Sequence, residues 1–407
     1  MEAEVELADG TRARASVPSG ASTGTSEAHE LRDQIPENYE GRSVLTAVAN
    51  IESSIAQALL GEDALFQRRI DELMLTLDGT SALQRLGANA VLAVSLATCR
   101  AAAATQSVPL YLWIAELFDN KDVSLPLPMV NLLSGGLHAR GGMDVQDFLL
   151  IPRSDSIEEA IHLAVRVRSA ADEVAREYGL PTLLADEGGL SPGFATGRQA
   201  LEMMLRSFDR AGLEPGRDAF IAVDFAASSL LNEQGQYDFS REGRTYTSSE
   251  LIDLVESWTR EFPIVSVEDP LGEEDWTAWQ SLTARLKSKL QIVGDDLFAT
   301  NLKRLQRGIS EEVANSVLIK LNQNGTLTGT LDVIREARRN GYTTVVSARS
   351  GETEDSFISD LAVGTSAHQI KIGSVRGSER LSKYNQLLRI EKQGVPFVGT
   401  GQLPRPQ

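Results

Sequence analysis

Two different hydrophobic patterns divide the chain. Near the start, apolar and polar residues alternate in EVEL and RARASV on either side of the turn signal Asp9-Gly10, which predicts a β-meander. From residue 43 to residue 117, apolar residues recur at helical spacing, as in VLTAVANIESSIAQALL and LGANAVLAVSLATCRAAAA. Strands followed by helices predict an α+β domain in this part of the chain.

After the polar, proline-punctuated segment FDNKDVSLPLP, the pattern changes to short apolar runs separated by amphipathic helical stretches, which is typical of a parallel sheet. The runs are QDFLLIP, TLLADEGG, FIAVDFA, PIVSVEDP, QIVGDD, SVLIKLNQ, TTVVSARS and HQIKIG, with PMVN as a further candidate. Most end in a charged residue, as barrel strands do where they open onto a catalytic face. A doubly wound sheet would normally carry a glycine-rich phosphate loop after its first strand, and the sequence has none there. We therefore expect an α+β domain over residues 1–121 and an eight-stranded α/β barrel over residues 122–407.

Composition and charge narrow the class of protein. A length of 407 residues suits a barrel of about 250 residues with a smaller companion domain. The formal net charge of -18 argues against nucleic acid or an anionic membrane as a partner. The start MEAEVELADGTRA lacks a signal-peptide pattern and no eighteen apolar residues run together, so we expect a cytoplasmic protein. The single cysteine, Cys99, lies in an alanine-rich helical pattern and is expected to be a buried, inert thiol.

Three successive apolar runs end in carboxylates: Asp224 in IAVDFA, Glu268 in SVEDP and Asp295 in VGDD. Any one of them alone could cap a helix or pair with a basic residue. Three at equivalent strand ends would lie side by side at a barrel mouth, where their mutual repulsion would need a cation. An all-oxygen site of this kind suits a hard cation such as Mg²⁺.

Lys320 in LIKLNQ and Lys371 in QIKIG occupy the same kind of position. Beside bound cations such lysines should have a depressed pKa, which fits proton abstraction, whereas a salt bridge to the carboxylates would be a structural role. Both roles are compatible. Glu187 in ADEGG could donate a proton to a leaving hydroxyl.

One motif points to a different class of enzyme. The segment Gly189-Leu190-Ser191-Pro192-Gly193 fits the G-x-S-x-G nucleophile elbow of hydrolases. That elbow needs a backbone N–H after the serine for its oxyanion hole, and Pro192 has none. The match is therefore interpreted as accidental.

Taken together, the segments resemble enolase over nearly the whole chain. The matching motifs are VPSGASTGTSEAHELRD, LGANAVLAVSLA, LPLPMVNLLSGGLHA, ADEGG, PIVSVEDPLGEEDW, QIVGDDLFATN, LIKLNQNGTLTGTL, SARSGETED and SERLSKYNQLLRIE. The resemblance implies an enolase-type (β/α)8 TIM-like barrel with an N-terminal α+β capping domain. It also implies two Mg²⁺ per active site, a small phosphorylated carboxylic acid as substrate, and a homodimer or higher homo-oligomer.

The resemblance also implies roles for the metal ligands and lysines. Asp224, Glu268 and Asp295 would hold the first Mg²⁺, and Ser22 in the SGASTG loop would join the second. Lys320 would remove the proton next to the substrate carboxylate. Lys371 would face that carboxylate.

Further site residues follow from the same resemblance. Glu187 would assist loss of the β-hydroxyl, with a partner in the segment Gln146, Asp147 and Phe148. Arg349 and Ser350 would hold the phosphate, Arg349 through paired charge-assisted hydrogen bonds. His138 matches the active-site histidine of the GGxHA motif.

The chain departs from the family pattern at several positions. Ala348 stands where S-H-R-S-G-E-T-E-D has a histidine, Asp147 where Q-E-F has a glutamate, and Gly141 where asparagine is usual. The D-S-R-G-N-P opening segment does not precede the match, so we expect the first strand to be absent or the start to be misassigned.

The leading hypothesis is therefore Mg²⁺-dependent, reversible dehydration of 2-phosphoglycerate to phosphoenolpyruvate. The alternative is a paralogue resembling carboxyphosphonoenolpyruvate synthase, which accepts a different phosphorus-containing acid. A non-catalytic scaffold explains the retained carboxylates and lysines less well.

Overall fold

The computed structural model describes residues 1–20, 24–139, 142–401 and 403. It begins with an antiparallel hairpin of β1 (Glu2–Glu6) and β2 (Arg12–Ser16), in which Ala3 lies opposite Ala15. Helices follow, as the apolar spacing predicts. They are α1 (Leu45–Asn50), which continues through a π-helical turn (Ile51–Ile55) into α2 (Ala56–Leu59), then α3 (Gln67–Asp78), α4 (Ala88–Thr105) and α5 (Leu110–Phe118).

The rest of the chain forms a closed eight-stranded barrel in the order β3-β4-β5-β8-β9-β10-β11-β12, which confirms the predicted fold class. The barrel strands are β3 (Leu127–Ser134), β4 (Asp147–Pro152), β5 (Ala219–Asp224), β8 (Ile264–Glu268), β9 (Gln291–Gly294), β10 (Ser316–Ile319), β11 (Thr343–Ser347) and β12 (Gln369–Gly373). A separate hairpin joins β6 (Tyr237–Phe239) to β7 (Arg244–Tyr246).

Successive residues of each barrel strand point alternately into the barrel and outward to the helices, as the two-residue period of a strand requires. Met129, Leu149, Val265 and Leu318 belong to the cluster inside the barrel. Their chain neighbours join the main core with the helices. These helices are α6 (Ile157–Glu177), α7 (Gly197–Arg210), α8 (Ser248–Glu261), α9 (Trp276–Leu286), α10 (Leu302–Ser310), α11 (Leu321–Asn324), α12 (Leu327–Arg339), α13 (Phe357–Gly364) and α14 (Ser378–Glu391).

Strand β4 departs from the predicted parallel arrangement. It runs antiparallel to both neighbours, so that Asp147 lies opposite Ser134 of β3 and Asp224 of β5. Because its direction is reversed, β4 brings its first residue to the mouth where the parallel strands end. The start of QDFLLIP, and not its end, therefore faces the site.

The predicted strand in TLLADEGG is wrong. Residues 182–185 lie in a loop with only an isolated bridge between Leu184 and Leu190, and Leu183 and Leu184 are 70% and 54% exposed. The run PMVN, within β3, completes the eight strands instead. A nucleophile elbow requires a strand before its serine, so this loop also removes the structural context for Ser191 as a nucleophile.

Helix α4 joins the two parts of the chain. It packs on β1 and β2 and also contacts α11 and α12 of the barrel. Among the described residues it is the one helix long and apolar enough to cross a membrane, but 83% of that window is buried within the protein. Packing against both domains accounts for its composition. Cys99 is fully buried in this helix, as predicted, and burial raises the pKa of its thiol.

Candidate active site

The strand ends bring the predicted charged residues together at one mouth of the barrel. Asp224 and Glu268 are the last residues of β5 and β8, which are paired in register at these two positions. Asp295 and Lys320 directly follow β9 and β10, and Lys371 lies within β12. The barrel topology thus places two lysines among three carboxylates.

Lys371 connects two of the carboxylates. Its Nζ donates to Asp224 Oδ2 at 2.7 Å and to Glu268 Oε1 and Oε2 at 2.8 and 2.9 Å. All three side chains are buried. Burial and the charge of Asp224 raise the pKa of Glu268 well above its usual range. Burial alone would lower the pKa of Lys371, but Asp224 and Glu268 outweigh it and raise that pKa well above its usual range.

Lys320 is held by the third carboxylate. Its Nζ lies 2.5 Å from Asp295 Oδ2, while Gln323 donates to Asp295 Oδ1 at 2.9 Å. Burial lowers the pKa of Lys320, but the charge of Asp295 outweighs it and the net shift is upward. Both lysine pKa values are raised because each ammonium contacts a buried carboxylate directly. The depression predicted for these lysines beside bound cations stays a prediction.

A second acidic group adjoins Asp295. Ligand atoms of Asp269, Asp295 and Asp296 lie within 4.8 Å of one another. Asp269 accepts the backbone N–H of Asp295 at 2.9 Å and of Asp296 at 2.7 Å, and it adopts a left-handed φ of 39°. Its carboxylate thus orients the loop that carries Asp295.

The donor set fits a hard cation. Asp224, Glu268 and Asp295 offer only oxygen atoms from buried carboxylates, and Mg²⁺ prefers such ligands. The raised pKa of Glu268 reflects burial together with repulsion by Asp224 and Asp295, which a divalent cation would relieve. Ser22, the predicted ligand of a second ion, lies outside the described residues, as does Gly141.

A network around Asp147 lies on β3 and β4, next to Asp224 of β5 and across the barrel from Lys320. His138 Nδ1 lies 3.0 Å from Asp147 Oδ2, while Ser134 and Asn131 donate to Asp147 Oδ1 at 2.8 and 2.7 Å. Asn131 also donates to Glu187 Oε2 at 3.3 Å. The structure therefore unites the three predicted residues His138, Asp147 and Glu187, whose ligand atoms lie within 4.8 Å of one another.

Charge in this network favours a protonated imidazole. Burial alone would lower the pKa of His138, but the carboxylates of Asp147 and Glu187 raise it to about 9. Burial would raise the pKa of Glu187, but the charges of His138, Arg380 and Lys371 hold it at about 2. Burial raises the pKa of Asp147 against the opposing charge of His138. These shifts favour a protonated His138 imidazole and an ionised Glu187 carboxylate at neutral pH.

Arg349 is buried at the same mouth. Its Nη1 donates to Glu27 Oε2 at 2.9 Å and to Asn322 Oδ1 at 3.0 Å. Glu27 also accepts the backbone N–H of Gly24 at 3.0 Å. A carboxylate from the N-terminal domain thus contacts the guanidinium that was predicted to bind phosphate. Ala348 is 4% exposed and packs in the main core.

Arg380 fixes the backbone around the predicted phosphate-binding residues. Its guanidinium is fully buried and donates to the carbonyl oxygens of Arg349, Ile372 and Ser350 at 2.7, 3.1 and 2.7 Å.

Gln146, the remaining predicted residue, donates to Asp224 Oδ2 at 3.2 Å. All the predicted site residues that the structure describes therefore lie at this mouth.

Sequence reasoning missed several functional neighbours. Asn131 and Ser134 lie in PMVNLLSGGLHA, Gln323 in LIKLNQ, Asp269 in SVEDP and Arg380 in SERLSKYNQ. All five fall within motifs that were already recognised. Each is a polar or charged residue to which the motif analysis assigned no role. Its presence inside a recognised motif is the signal that could have identified it.

Comparison with known families agrees with this geometry. The family described as "Enolase, N-terminal domain" matches residues 1–114, and the family described as "Enolase, C-terminal TIM barrel domain" matches residues 122–399. Together they span both structural parts of the chain, and the carboxylates and lysines at the ends of the barrel strands fall within the second match. The chain therefore belongs to the enolase family.

Proposed function

We propose that the protein catalyses the Mg²⁺-dependent, reversible dehydration of 2-phosphoglycerate to phosphoenolpyruvate. The observation that carries the proposal is the arrangement of two proton-handling groups on opposite sides of one carboxylate cluster. Lys320 lies on one side with Asp295, and His138, Asp147 and Glu187 lie on the other. Loss of a proton from C2 and of a hydroxyl from C3 needs two such groups.

The first step is removal of the C2 proton by Lys320. Lys320 acts as a base only as the neutral amine, so its ammonium must leave the contact with Asp295 and lose one proton to solvent before reaction. Lys371 would then face the substrate carboxylate with its positive charge. Mg²⁺ held by Asp224, Glu268 and Asp295 would supply Lewis-acid stabilisation of negative charge on that carboxylate.

The second step is departure of the C3 hydroxyl as water. The C3–O bond breaks, the electron pair left at C2 forms the double bond, and the oxygen takes a proton from the Glu187 side. Since Glu187 is ionised at neutral pH, it must first receive that proton from the adjacent His138 and Asp147 pair.

Arg349 supports the choice of a phosphorylated substrate. Its guanidinium is 3% exposed and already contacts an anionic oxygen of Glu27. The planar fork of an arginine matches phosphate oxygens as well as carboxylate oxygens. We propose that the substrate phosphate takes the place of this contact.

Ala348 and Asp147 favour a second candidate, a paralogue that acts on another phosphorus-containing acid. A methyl group beside Arg349 offers no hydrogen bond where the family pattern has histidine. The test follows the ultraviolet absorbance of the enol double bond with 2-phosphoglycerate and Mg²⁺, using the unmodified protein and Ala348→His. Turnover by the unmodified protein supports the dehydration of 2-phosphoglycerate. Turnover by Ala348→His alone, or by neither protein, points to the second candidate.

A further inference from the structure

Asn131 lies between Asp147 and Glu187, the two carboxylates on the side of the mouth proposed to protonate the leaving hydroxyl. It is fully buried, and its Nδ2 is 2.7 Å from Asp147 Oδ1 and 3.3 Å from Glu187 Oε2. Its Oδ1 lies 3.1 Å from Ser134 Oγ, whose single hydroxyl hydrogen is donated to Asp147 Oδ1 at the shorter distance of 2.8 Å. Only this orientation of the amide presents N–H groups to both carboxylates, because the flipped orientation would place acceptor against acceptor.

The amide is also fixed by the backbone behind it. A Cβ added at Gly189 would lie 2.1 Å from Asn131 Oδ1 and 2.9 Å from Ser134 Oγ. The Gly189 backbone therefore packs directly against the carbonyl end of Asn131. Gly189 follows Glu187 by two residues, so the side chain of Asn131 and the loop that carries Glu187 are held together.

A neutral amide suits this position for an electrostatic reason. Two buried carboxylates repel each other, and an amide gives each of them an N–H without adding charge. A lysine or arginine would add a cation to a site that already contains His138 and Lys371. An apolar residue would leave both carboxylates short of a donor, which is costly for buried groups.

We propose that Asn131 is a positioning residue for the elimination step, since it holds Asp147 and Glu187 at the separation that proton delivery requires. This inference rests on the proposed function. In the step concerned, the C3–O bond breaks with its electron pair, the oxygen gains one proton to leave as water, and the C2 electron pair forms the C2=C3 bond. Lys320, which acts earlier, is held by Asp295 on the other side of the mouth.

The two steps can be measured separately. In D₂O with Mg²⁺ and 2-phosphoglycerate, NMR follows exchange of the C2 hydrogen, which reports proton removal, and formation of phosphoenolpyruvate, which reports both steps. The isosteric variant Asn131→Leu is expected to slow phosphoenolpyruvate formation by about tenfold to a hundredfold, since a shift of about 1 Å has effects of this size. Exchange at C2 is expected to change by less than about threefold, because proton removal by the base is a separate contribution.

Two further variants keep the test decisive. Ser134→Ala removes one hydroxyl donor from Asp147. It should slow phosphoenolpyruvate formation less than Asn131→Leu does and leave C2 exchange nearly unchanged. It provides the test if Asn131→Leu does not fold. Asn315→Leu is the matched control, since Asn315 Nδ2 bonds the Leu290 carbonyl at 2.9 Å before β10, at the opposite end of the barrel. It should change neither rate.

Parallel loss of exchange and phosphoenolpyruvate formation in the Asn131 and Ser134 variants would overturn the positioning role, as would unchanged rates of both. If the unmodified protein shows neither exchange nor product, the proposed function fails and this inference fails with it.

Discussion

Replacement of Lys371 by methionine tests how charge is balanced at the barrel mouth. The change removes an ammonium that lies 2.7 Å from Asp224 Oδ2 and 2.8 Å from Glu268 Oε1, all in buried surroundings. Removing one partner of a buried ion pair lowers the free energy of unfolding by about 3–5 kcal/mol. The raised pKa of Glu268 lets this carboxyl take up a proton, so we expect a loss near the lower value, about 3 kcal/mol, without Mg²⁺.

Mg²⁺ should recover part of this loss. Lys371 repels a cation bound to the same carboxylates, so its removal should tighten Mg²⁺ binding by about tenfold, equivalent to about 1.4 kcal/mol. Because a bound ligand stabilises the folded state in proportion to the logarithm of its affinity, the stability gained from Mg²⁺ should be larger in Lys371→Met by about this amount. Urea unfolding in EDTA and in excess Mg²⁺ measures both quantities.

The matched control is Lys383→Met. Lys383 is a fully buried lysine that bonds the Thr353 carbonyl and lies 3.6 Å from Glu352 Oε1. Its loss should destabilise the protein, but the gain from Mg²⁺ should equal that of the unmodified chain. An equal gain from Mg²⁺ in both lysine variants would refute the assignment of Asp224 and Glu268 as ligands.

Three further predictions follow from the site. Lys320→Ala should slow C2 hydrogen exchange of 2-phosphoglycerate by about a hundredfold to ten-thousandfold, measured by NMR in D₂O, because the base is lost. Arg349→Lys keeps the charge but loses the paired N–H donors, so steady-state kinetics should show KM raised by about tenfold with a smaller change in kcat. His138 has its pKa raised from 6.5 to about 9, so its contribution to stability is complete below pH 6.5 and is lost as pH rises through about 9. Urea unfolding from pH 6.5 to 9.5 should show a decline that is absent in His138→Gln, and an identical slope in both proteins would contradict the assignment.

The hydrophobic periodicity of the chain predicted the fold well because that periodicity arises from burial of one face of each strand or helix. A two-residue period in the barrel strands and a helical period in residues 43–117 both reflect one face turned toward a core. Strand direction has no such signal, so the reversal of β4 could not be read from DFLLIP. The apolar run in TLLADEGG was misread because local composition does not show that Leu183 and Leu184 are exposed.

The candidate site was predictable where a charge ends an apolar run. Asp224, Glu268 and Lys371 were identified in this way, and the barrel brings them within hydrogen-bonding distance. The residues that organise these charges were not predictable by the same rule. Asn131 and Arg380 act through an amide and through carbonyl contacts, which depend on which loops meet in space.

The packing of helix α4 has a consequence for how the chain unfolds. Ser95 of this helix accepts the backbone N–H of Leu327 at 3.1 Å, and Arg100 pairs with Asp355 at 2.6 Å, so both polar contacts cross from the N-terminal part to the barrel. The two parts share one continuous apolar core. They should therefore melt as a single cooperative unit, and a protease cut between α5 and β3 should leave two fragments that remain associated until that core unfolds.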